Sequence, residues 1–144
     1  SNDLNIKGAG TRMMWVPKKA AFRSGYVEGT QWDYDTIGEH SVVFGNSGNA
    51  SGDNTVIVGG INSTNSGDDS VIVGGINNHI DSSSYSVIVG GGSTIAGEEN
   101  QILNSTLSTI VGGKNNKITN HANQEVYGTQ SGGGGAPYPH IGRM

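Results

Sequence analysis

Short apolar runs closed by glycine recur along the middle of the chain. A hydroxyl residue opens each run, three apolar residues follow and glycine ends it, as in Ser-Val-Ile-Val-Gly-Gly at residues 70–75. Related runs occupy residues 41–45, 55–60, 86–91 and 108–113, so their starts are 14, 15, 16 and 22 residues apart. Five copies with one internal order and a near-constant period indicate a solenoid of stacked repeats.

The other half of each repeat is polar and rich in Asn and Ser. It has a recurring position nine or ten residues after the start of the copy, occupied in turn by Ala50, Asn65, Ile80, Ile95 and Ile118. Both halves are too short for helices, whereas β-branched runs separated by glycine favour strands. We therefore predict coils of two short strands and two turns, stacked by parallel pairing about 4.8 Å apart, with no helix over residues 37–118.

Side chains alternate between the two faces of a strand, so each apolar run points both ways. The middle residue is predicted to enter the coil; these residues are Val43, Ile57, Ile72, Ile88 and Ile110. Its neighbours point outward as columns, principally Val56, Val58, Val71, Val73, Val87 and Val89, with Val42, Phe44 and Val111. A strand that is apolar on both faces is usually buried on both. One chain with 33% hydrophobic residues hardly supplies a second layer. Identical chains packed around a common axis are the predicted partner.

The repeats and the segment before them resemble a known family. The repeat order Ser-x-apolar-x-Gly is similar to the head repeats of YadA-type trimeric autotransporter adhesins, and of related phage tail fibres and bacterial surface fibres. Residues 13–26 (Met-Met-Trp-Val-Pro-Lys-Lys-Ala-Ala-Phe-Arg-Ser-Gly-Tyr), then Trp32-Asp33 and residues 37–41, look like the entry segment of such proteins. The resemblance covers roughly residues 12–120.

This resemblance implies an all-β fold and a function in attachment. The implied architecture is a left-handed parallel β-roll of 14–16-residue coils, intertwined as a homotrimer, with an aromatic N-terminal cap and an irregular C-terminal tip. The expected location is extracellular, on a cell surface or a phage fibre, as a segment of a longer protein. We divide the chain into an entry segment (1–36), the repeat head (37–120) and a Gly- and Pro-rich tip or linker (121–144).

Charge and composition narrow the classes of partner. Residues 24–113 contain ten acidic residues and no Lys or Arg, and a trimer triples that negative field, which disfavours nucleic acid. No apolar run approaches the roughly 20 residues of a membrane helix, so membrane insertion by this segment is not expected. The chain has no cysteine, which removes disulfides and cysteine-based metal sites.

Residues 13–34 hold five of the nine aromatic residues: Trp15, Phe22, Tyr26, Trp32 and Tyr34. They could form a stacking surface for sugar rings, because Trp and Tyr have flat faces with a polar edge. They could also plug the exposed end of the first coil, which is the interpretation we favour. An alternating strand followed by a glycine turn is predicted just upstream, over residues 4–12.

The 22-residue step between the last two copies contains seven extra residues. We predict that residues 101–107, which equal one half-coil in length, form an inserted strand or a switch of neighbour, with Ile102, Leu103 and Leu107 buried.

The C-terminal segment carries the candidate ligand-binding residues. Four consecutive glycines at 132–135 form a hinge or loop, and Pro137 and Pro139 keep the residue between them extended. The segment is either a linker or a distal tip. In the second case Tyr127, Tyr138 and His140 contact the ligand, since loops on rigid scaffolds often carry recognition.

No pattern of catalytic or metal-ligating residues accompanies the repeats. The closely spaced acids suit Asx-type corners better than calcium loops, so no metal, cofactor or catalytic residue is predicted. The predicted function is a non-enzymatic fibre head that binds a surface glycan or another envelope receptor of a host or prey cell. The alternative is a structural spacer in a longer surface or tail fibre. An ice-binding solenoid, whose Thr columns are absent, and a glycan depolymerase rank below these.

Overall fold

The computed structural model describes residues 6–128 and 141–143, and this part of the chain is almost entirely β. Besides two single-turn 3-10 helices at Pro17–Lys19 and Tyr34–Thr36, it contains the following strands: β1 (Gly10–Val16), β2 (Ala21–Val27), β3 (Val42–Asn46), β4 (Asn49–Ala50), β5 (Val56–Ile61), β6 (Thr64–Asn65), β7 (Val71–Val73), β8 (His79–Asp81), β9 (Val87–Val89), β10 (Gln101–Leu103), β11 (Thr109–Val111), β12 (Lys117–Thr119), β13 (Gln124–Tyr127) and β14 (Ile141–Arg143).

Two sheets run side by side along a β-solenoid of about seven turns. The nine-stranded sheet has the order β1-β2-β3-β5-β7-β9-β11-β13-β14, and the five-stranded sheet has the order β12-β10-β8-β6-β4. Among the described strands, all pairings between successive coils are parallel, and only β1 with β2 and β13 with β14 are antiparallel. The predicted coil of two short strands and two turns, with no helix over residues 37–118, is confirmed.

The core is built from one inward residue per strand. In the nine-stranded sheet the inward column, fully buried, runs through Val43, Ile57, Ile72, Ile88, Ile110 and Val126. In the five-stranded sheet it runs through Ala50, Asn65, Ile80, Ile102 and Ile118. Each buried isoleucine contributes roughly 1.5–3 kcal/mol of transfer free energy, so the two columns supply most of the hydrophobic stabilisation.

The serines that open the last three repeats have a defined role inside the coil. The backbone N–H of Ser86 donates to Oγ of Ser70 at 3.0 Å, and that of Ser108 donates to Oγ of Ser86 at 3.2 Å. These serines are fully buried, so without the hydroxyl ladder the corner amides would lose a hydrogen bond away from water. The polar start of an otherwise apolar run is therefore required by the stacking of the coils.

The Gly-Gly pair that ends each run makes a corner for which a side chain has no room. Gly60 and Gly75 have φ of 83° and 84°, in the left-handed region that favours glycine. A Cβ on Gly60 would lie 2.5 Å from the carbonyl oxygen of Gly75 in the next coil. The other corners use residues that tolerate positive φ, mostly Asn, with Leu107 (φ 56°) and Tyr85 (φ 58°) as bulky exceptions.

The insertion in the fourth repeat lies earlier than predicted. The chain leaves the solenoid after Gly92, over residues 93–99, none of which is buried, and returns at Asn100. β10 is then the regular second strand: Ile102 pairs with Ile80 and Ile118 and is fully buried. The prediction of an inserted strand or a switch of neighbour at residues 101–107 is therefore wrong, although Ile102 is buried as predicted. Leu107 is 52% exposed at a corner, and Leu103 is only partly buried.

The placement of Ile95 at the recurring position of the polar half is also wrong. Its side chain is 58% exposed in the loop formed by residues 93–99, and Ile102 is the inward residue of this coil's second strand instead. The loop is nevertheless held against the solenoid. Nδ2 of Asn77 donates to the carbonyl oxygen of Ser93. The backbone N–H of Asn115 donates to the carbonyl oxygen of Glu98.

The N-terminal segment forms a hairpin that extends the nine-stranded sheet. β1 and β2 pair antiparallel, with Pro17–Lys19 as the turn, and β2 pairs parallel with β3. Residues 4 and 5, which begin the predicted strand and glycine turn, lie outside the described residues. Within the described part, residues 8 and 9 form a bend, and the strand begins at Gly10 and continues to Val16. Inward residues of this segment, Met14, Val16 and Trp32, join the core, and Nε1 of Trp32 donates to the carbonyl oxygen of Gly48 at 2.8 Å.

Candidate functional site

The outer face of the nine-stranded sheet is apolar along the described repeats. One outward column passes through Val42, Val56, Val71 and Val87, whose side chains are half-buried. A second column, 37–44% exposed, passes through Phe44, Val58, Val73, Val89 and Val111. We call this surface the apolar face. Large contiguous apolar patches on soluble proteins generally mark sites of contact with another molecule, so the apolar face is the candidate functional site.

The apolar face widens at one edge of the repeats. Ile61 and Ile76 follow the glycine corners and pair with each other in parallel, and Ile61 is 42% exposed. At the fourth coil Gly92 occupies the equivalent position, pairing with Ile76. The inserted loop therefore begins beside this edge of the apolar face.

The two ends of the apolar face differ in character. At the N-terminal end the rings of Phe22 and Phe44 pack with centroids 5.4 Å apart. At the C-terminal end the columns finish in Glu125 and Tyr127 on β13. The Tyr127 hydroxyl donates to Oε2 of Glu125 at 2.8 Å, and this hydrogen bond, reinforced by the negative charge, raises the pKa of Tyr127.

The predicted ligand-binding residues are only partly described. Tyr127 is 55% exposed at the end of the second outward column. Tyr138 and His140 lie outside the described residues. The structure therefore locates Tyr127 beside the apolar columns without bringing the three residues of the predicted tip together.

The outer side of the five-stranded sheet is polar. One outward column passes through Asn49, Thr64, His79, Gln101 and Lys117. The amide, hydroxyl and charged groups of this column can hydrogen-bond to water. The solenoid therefore has one apolar side and one polar side.

Negative charge is concentrated at the corners, where the carboxylates bond to backbone amides. The N–H of Glu39 donates to Oδ1 of Asp53 at 2.8 Å, and the N–H of Asp53 donates to Oδ1 of Asp68 at 2.9 Å. Further along the solenoid, Oγ of Ser66 donates to Oδ1 of Asp81 at 2.6 Å, which lowers the pKa of Asp81. These acids link successive coils.

Within residues 6–128 no group of three or more His, Asp or Glu side chains is arranged to hold a metal ion. The described residues also include no helix that is long and apolar enough to span a membrane.

Comparison with known proteins does not assign this chain to a family. No family model, no curated protein and no solved structure matches this chain. The functional argument therefore rests on the surface of the solenoid itself.

Sequence reasoning located the valine columns, but it did not distinguish the inward from the outward residues of the aromatic N-terminal segment. Trp15 and Met13 point outward, whereas Met14 and Val16 point inward, because they alternate along β1. Trp32 lies in the core and is fully buried. The alternation is present in residues 13–16, yet it assigns a face to each residue only once the strand is known to include all four.

Proposed function

We propose that this chain is the head of a non-enzymatic, homotrimeric fibre that attaches to a cell surface. The observation that carries the proposal is the apolar face, an uninterrupted outer surface on a solenoid whose core is already complete. Packing three apolar faces around an axis removes them from water without any additional layer. In this proposal the coils wind left-handed and the chains intertwine.

The distribution of charge supports self-association through this surface. Most of the acids lie in turns and loops outside the strands, whereas the apolar columns between β3 and β11 are formed by Val, Phe and Thr. Copies that approach by their corners bring like charges together, which is unfavourable. Copies that approach by the apolar face keep the acidic corners at the periphery.

Adhesion follows from the trimer and the exposed ends. Three copies of a weak site on one rigid body bind a repetitive surface far more strongly than one copy does. The proposed ligand is a surface glycan or another envelope receptor, contacted by Tyr127 together with Tyr138 and His140. The structural roles of Asp53 and Asp68 in the corners support a non-enzymatic function. The acidic surface disfavours nucleic acid.

The alternative function, a spacer in a longer fibre, is favoured by the regularity of the register. Residue pairs continue in parallel from β3 to β13, as in a rod. The two functions separate on a glycan array probed with the labelled protein. A head binds a subset of glycans, and Tyr127→Ala with Tyr138→Ala removes the signal. A spacer gives no signal, and its deletion shortens the fibre without changing the target.

Self-association through the apolar face is tested by one substitution and a matched control. Val73→Glu places a carboxylate in the middle of the face, and His79→Glu places one on the polar sheet of the same coil. We expect Val73→Glu to give monomers and His79→Glu to leave the assembly intact. An assembly that survives Val73→Glu contradicts the proposed interface.

A further inference from the structure

The N-terminal hairpin has an outer face of its own, made of large side chains. Met13 is 76% exposed, Trp15 is 51% exposed and Tyr26 is 41% exposed, while Phe22 is half-buried between neighbours. Four large side chains are thus arranged on one side of two strands. We call this surface the hairpin patch.

The register places the hairpin patch in line with the valine columns. Trp15 lies opposite Phe22, and Phe22 lies beside Val42 at the start of the first column. In the second column Met13 lies opposite Ser24, which in turn lies beside Phe44. The hairpin patch and the apolar face are therefore one continuous surface on the same side of one sheet.

These aromatic residues are not needed to close the first coil. Trp32, Met14 and Val16 already fill the interior at this end. Arg23 occupies the inward position beside Val43, with its guanidinium bonded to backbone and hydroxyl oxygens. Trp15 and Met13 lie on the other side of the sheet, so only part of the aromatic segment acts as a plug.

The hairpin adds substantially to the length of the apolar surface. Eight strands from β1 to β13 make seven intervals of about 4.8 Å, or about 34 Å in all, and the hairpin accounts for about 10 Å of it. Specific assemblies bury about 800 Å² on each partner. A surface only two columns wide must be long to bury an area of that size. The largest side chains of the surface are at this end.

Charge and polarity indicate what covers the hairpin patch. Along residues 10–111, all of them described, the outward positions of the nine-stranded sheet include no charged residue. Arg12 is on the inward side of β1, where its Nη2 donates to the carbonyl oxygen of Gly8. The polar groups on this surface are all uncharged: the hydroxyls of Tyr26, Thr11 and Ser24 and the indole N–H of Trp15. A neutral apolar surface of this kind fits an identical surface on a chain that is otherwise acidic.

We infer that the hairpin patch is a contact between copies of this chain, with Trp15 as its anchor. The inference rests on the proposed trimer and assigns the exposed aromatic residues to its interface instead of to a glycan. Tryptophan is the residue type that most often dominates the binding energy of an interface. The hairpin therefore locks the copies together at the N-terminal end of the solenoid.

Acrylamide quenching of tryptophan fluorescence tests this contact on the unmodified chain. The protein has two tryptophans, and Trp32 is fully buried in the single chain, so quenching reports on Trp15. In the assembled protein we expect a quenching constant at least about threefold below that of free N-acetyltryptophanamide, because interface cores pack as densely as interiors. The Trp15→Phe variant, which keeps only Trp32, gives the baseline for a buried ring.

A pair of substitutions tests the energetic role of Trp15. Trp15→Glu should raise the dissociation constant of the assembly about tenfold or more, while Tyr85→Glu, at an exposed aromatic residue on a corner, should leave it unchanged. Far-ultraviolet circular dichroism and the emission of buried Trp32 show whether each variant is folded. A folded Trp15→Glu variant that assembles as tightly as the original chain overturns the inference.

The remaining outcomes separate this inference from the proposed function. A trimer in which Trp15 is quenched as readily as the free indole overturns the hairpin contact and leaves the trimer standing. A monomeric protein overturns both. Quenching that decreases only after addition of an oligosaccharide such as chitotetraose assigns the hairpin patch to sugar and overturns the contact between copies.

Discussion

Arg23 and Ser41 are joined by two hydrogen bonds inside the first coil. Nη1 of Arg23 donates to the carbonyl oxygen of Ser41 and Nη2 donates to its Oγ, each at 2.8 Å. Nη2 also donates to the carbonyl oxygen of Ala50 at 3.0 Å. Arg23 is fully buried, and this desolvation lowers its pKa to about 10.

We predict that the charge of Arg23 is dispensable and that its volume is needed. The carbonyl oxygens of Ser41 and Ala50 also accept from the N–H groups of Phe22 and Gly38, so they keep a partner without the guanidinium. Arg23→Met should therefore change the free energy of unfolding by no more than about 1 kcal/mol, whereas Arg23→Ala should cost about 2–4 kcal/mol through the cavity. Urea unfolding at matched protein concentration measures both. Equal losses in the two variants would show that the hydrogen bonds dominate.

Substitution of Leu107 is expected to stabilise the protein, because its backbone is in the left-handed region, which asparagine and glycine adopt more readily than leucine. It has φ of 56° at a corner, and its side chain is 52% exposed. We expect Leu107→Asn to increase the free energy of unfolding by about 1 kcal/mol, since asparagine tolerates the left-handed region. Asn62→Leu, at a corner with φ of 54°, should produce a loss of similar size. Thermal unfolding of the two variants shows whether the signs are opposite.

The corrected position of the insertion is tested by two isoleucines. Ile102→Ala should destabilise the protein by about 2–5 kcal/mol, because Ile102 is fully buried between Ile80 and Ile118. Ile95→Ala should change the free energy of unfolding by less than about 0.5 kcal/mol, because Ile95 is on the exposed loop. Denaturant midpoints are sufficient to compare them. A larger loss for Ile95→Ala would return that residue to the core.

The inserted loop carries an ion pair with a measurable titration. Nζ of Lys114 donates to Oε2 of Glu98 at 2.5 Å, and this hydrogen bond and the opposite charge lower the pKa of Glu98. The contribution of Glu98 to stability is therefore complete above its unfolded pKa of about 4.3 and is lost as the pH falls through the lower folded pKa. Carbon-13 NMR titration of the Glu98 carboxyl should show its pKa rising in Lys114→Met.

Lys117→Met is the matched control for this titration, because Lys117 is an exposed lysine on β12. We expect it to leave the titration of Glu98 unchanged. Equal titration curves for Glu98 in the original chain and in Lys114→Met would contradict the assignment of the shift to Lys114.

The repeat pattern was sufficient to predict the coil. The spacing of Ile57, Ile72 and Ile88 fixes the stacking register, because a strand with one inward residue has only one alignment that keeps all three inside. The Gly-Gly corners and the Asn-rich turns follow from the same period. These features are local and repeated, so each copy supports the assignment of the next.

The insertion escaped prediction because two isoleucines fit the spacing. Ile95 follows Ser86 by nine residues, as the period requires, and Ile102 follows it by sixteen. The deciding signal was Asn100: buried Asn78, Asn100 and Asn116 each precede an inward isoleucine by two residues. The N–H of Asn116 donates to Oδ1 of Asn100 at 3.1 Å, a contact between coils that the period alone does not indicate.

The burial of Arg23 was also beyond sequence reasoning. Arginine is almost never fully buried without a partner of opposite charge, so a pattern-based prediction assigns it to the surface. Here the open end of the first coil supplies carbonyl and hydroxyl oxygens in place of a carboxylate. The candidate tip at Tyr138 and His140, which lies outside the described residues, stays a prediction.

The mass of the protein in solution, measured by multi-angle light scattering, tests the central claim most directly. The chain has a mass of 14.8 kDa, and the account predicts a single species of three chains, about 44 kDa. A monodisperse species of 14.8 kDa would contradict it, because the columns through Val58 and Val73 would then remain in water.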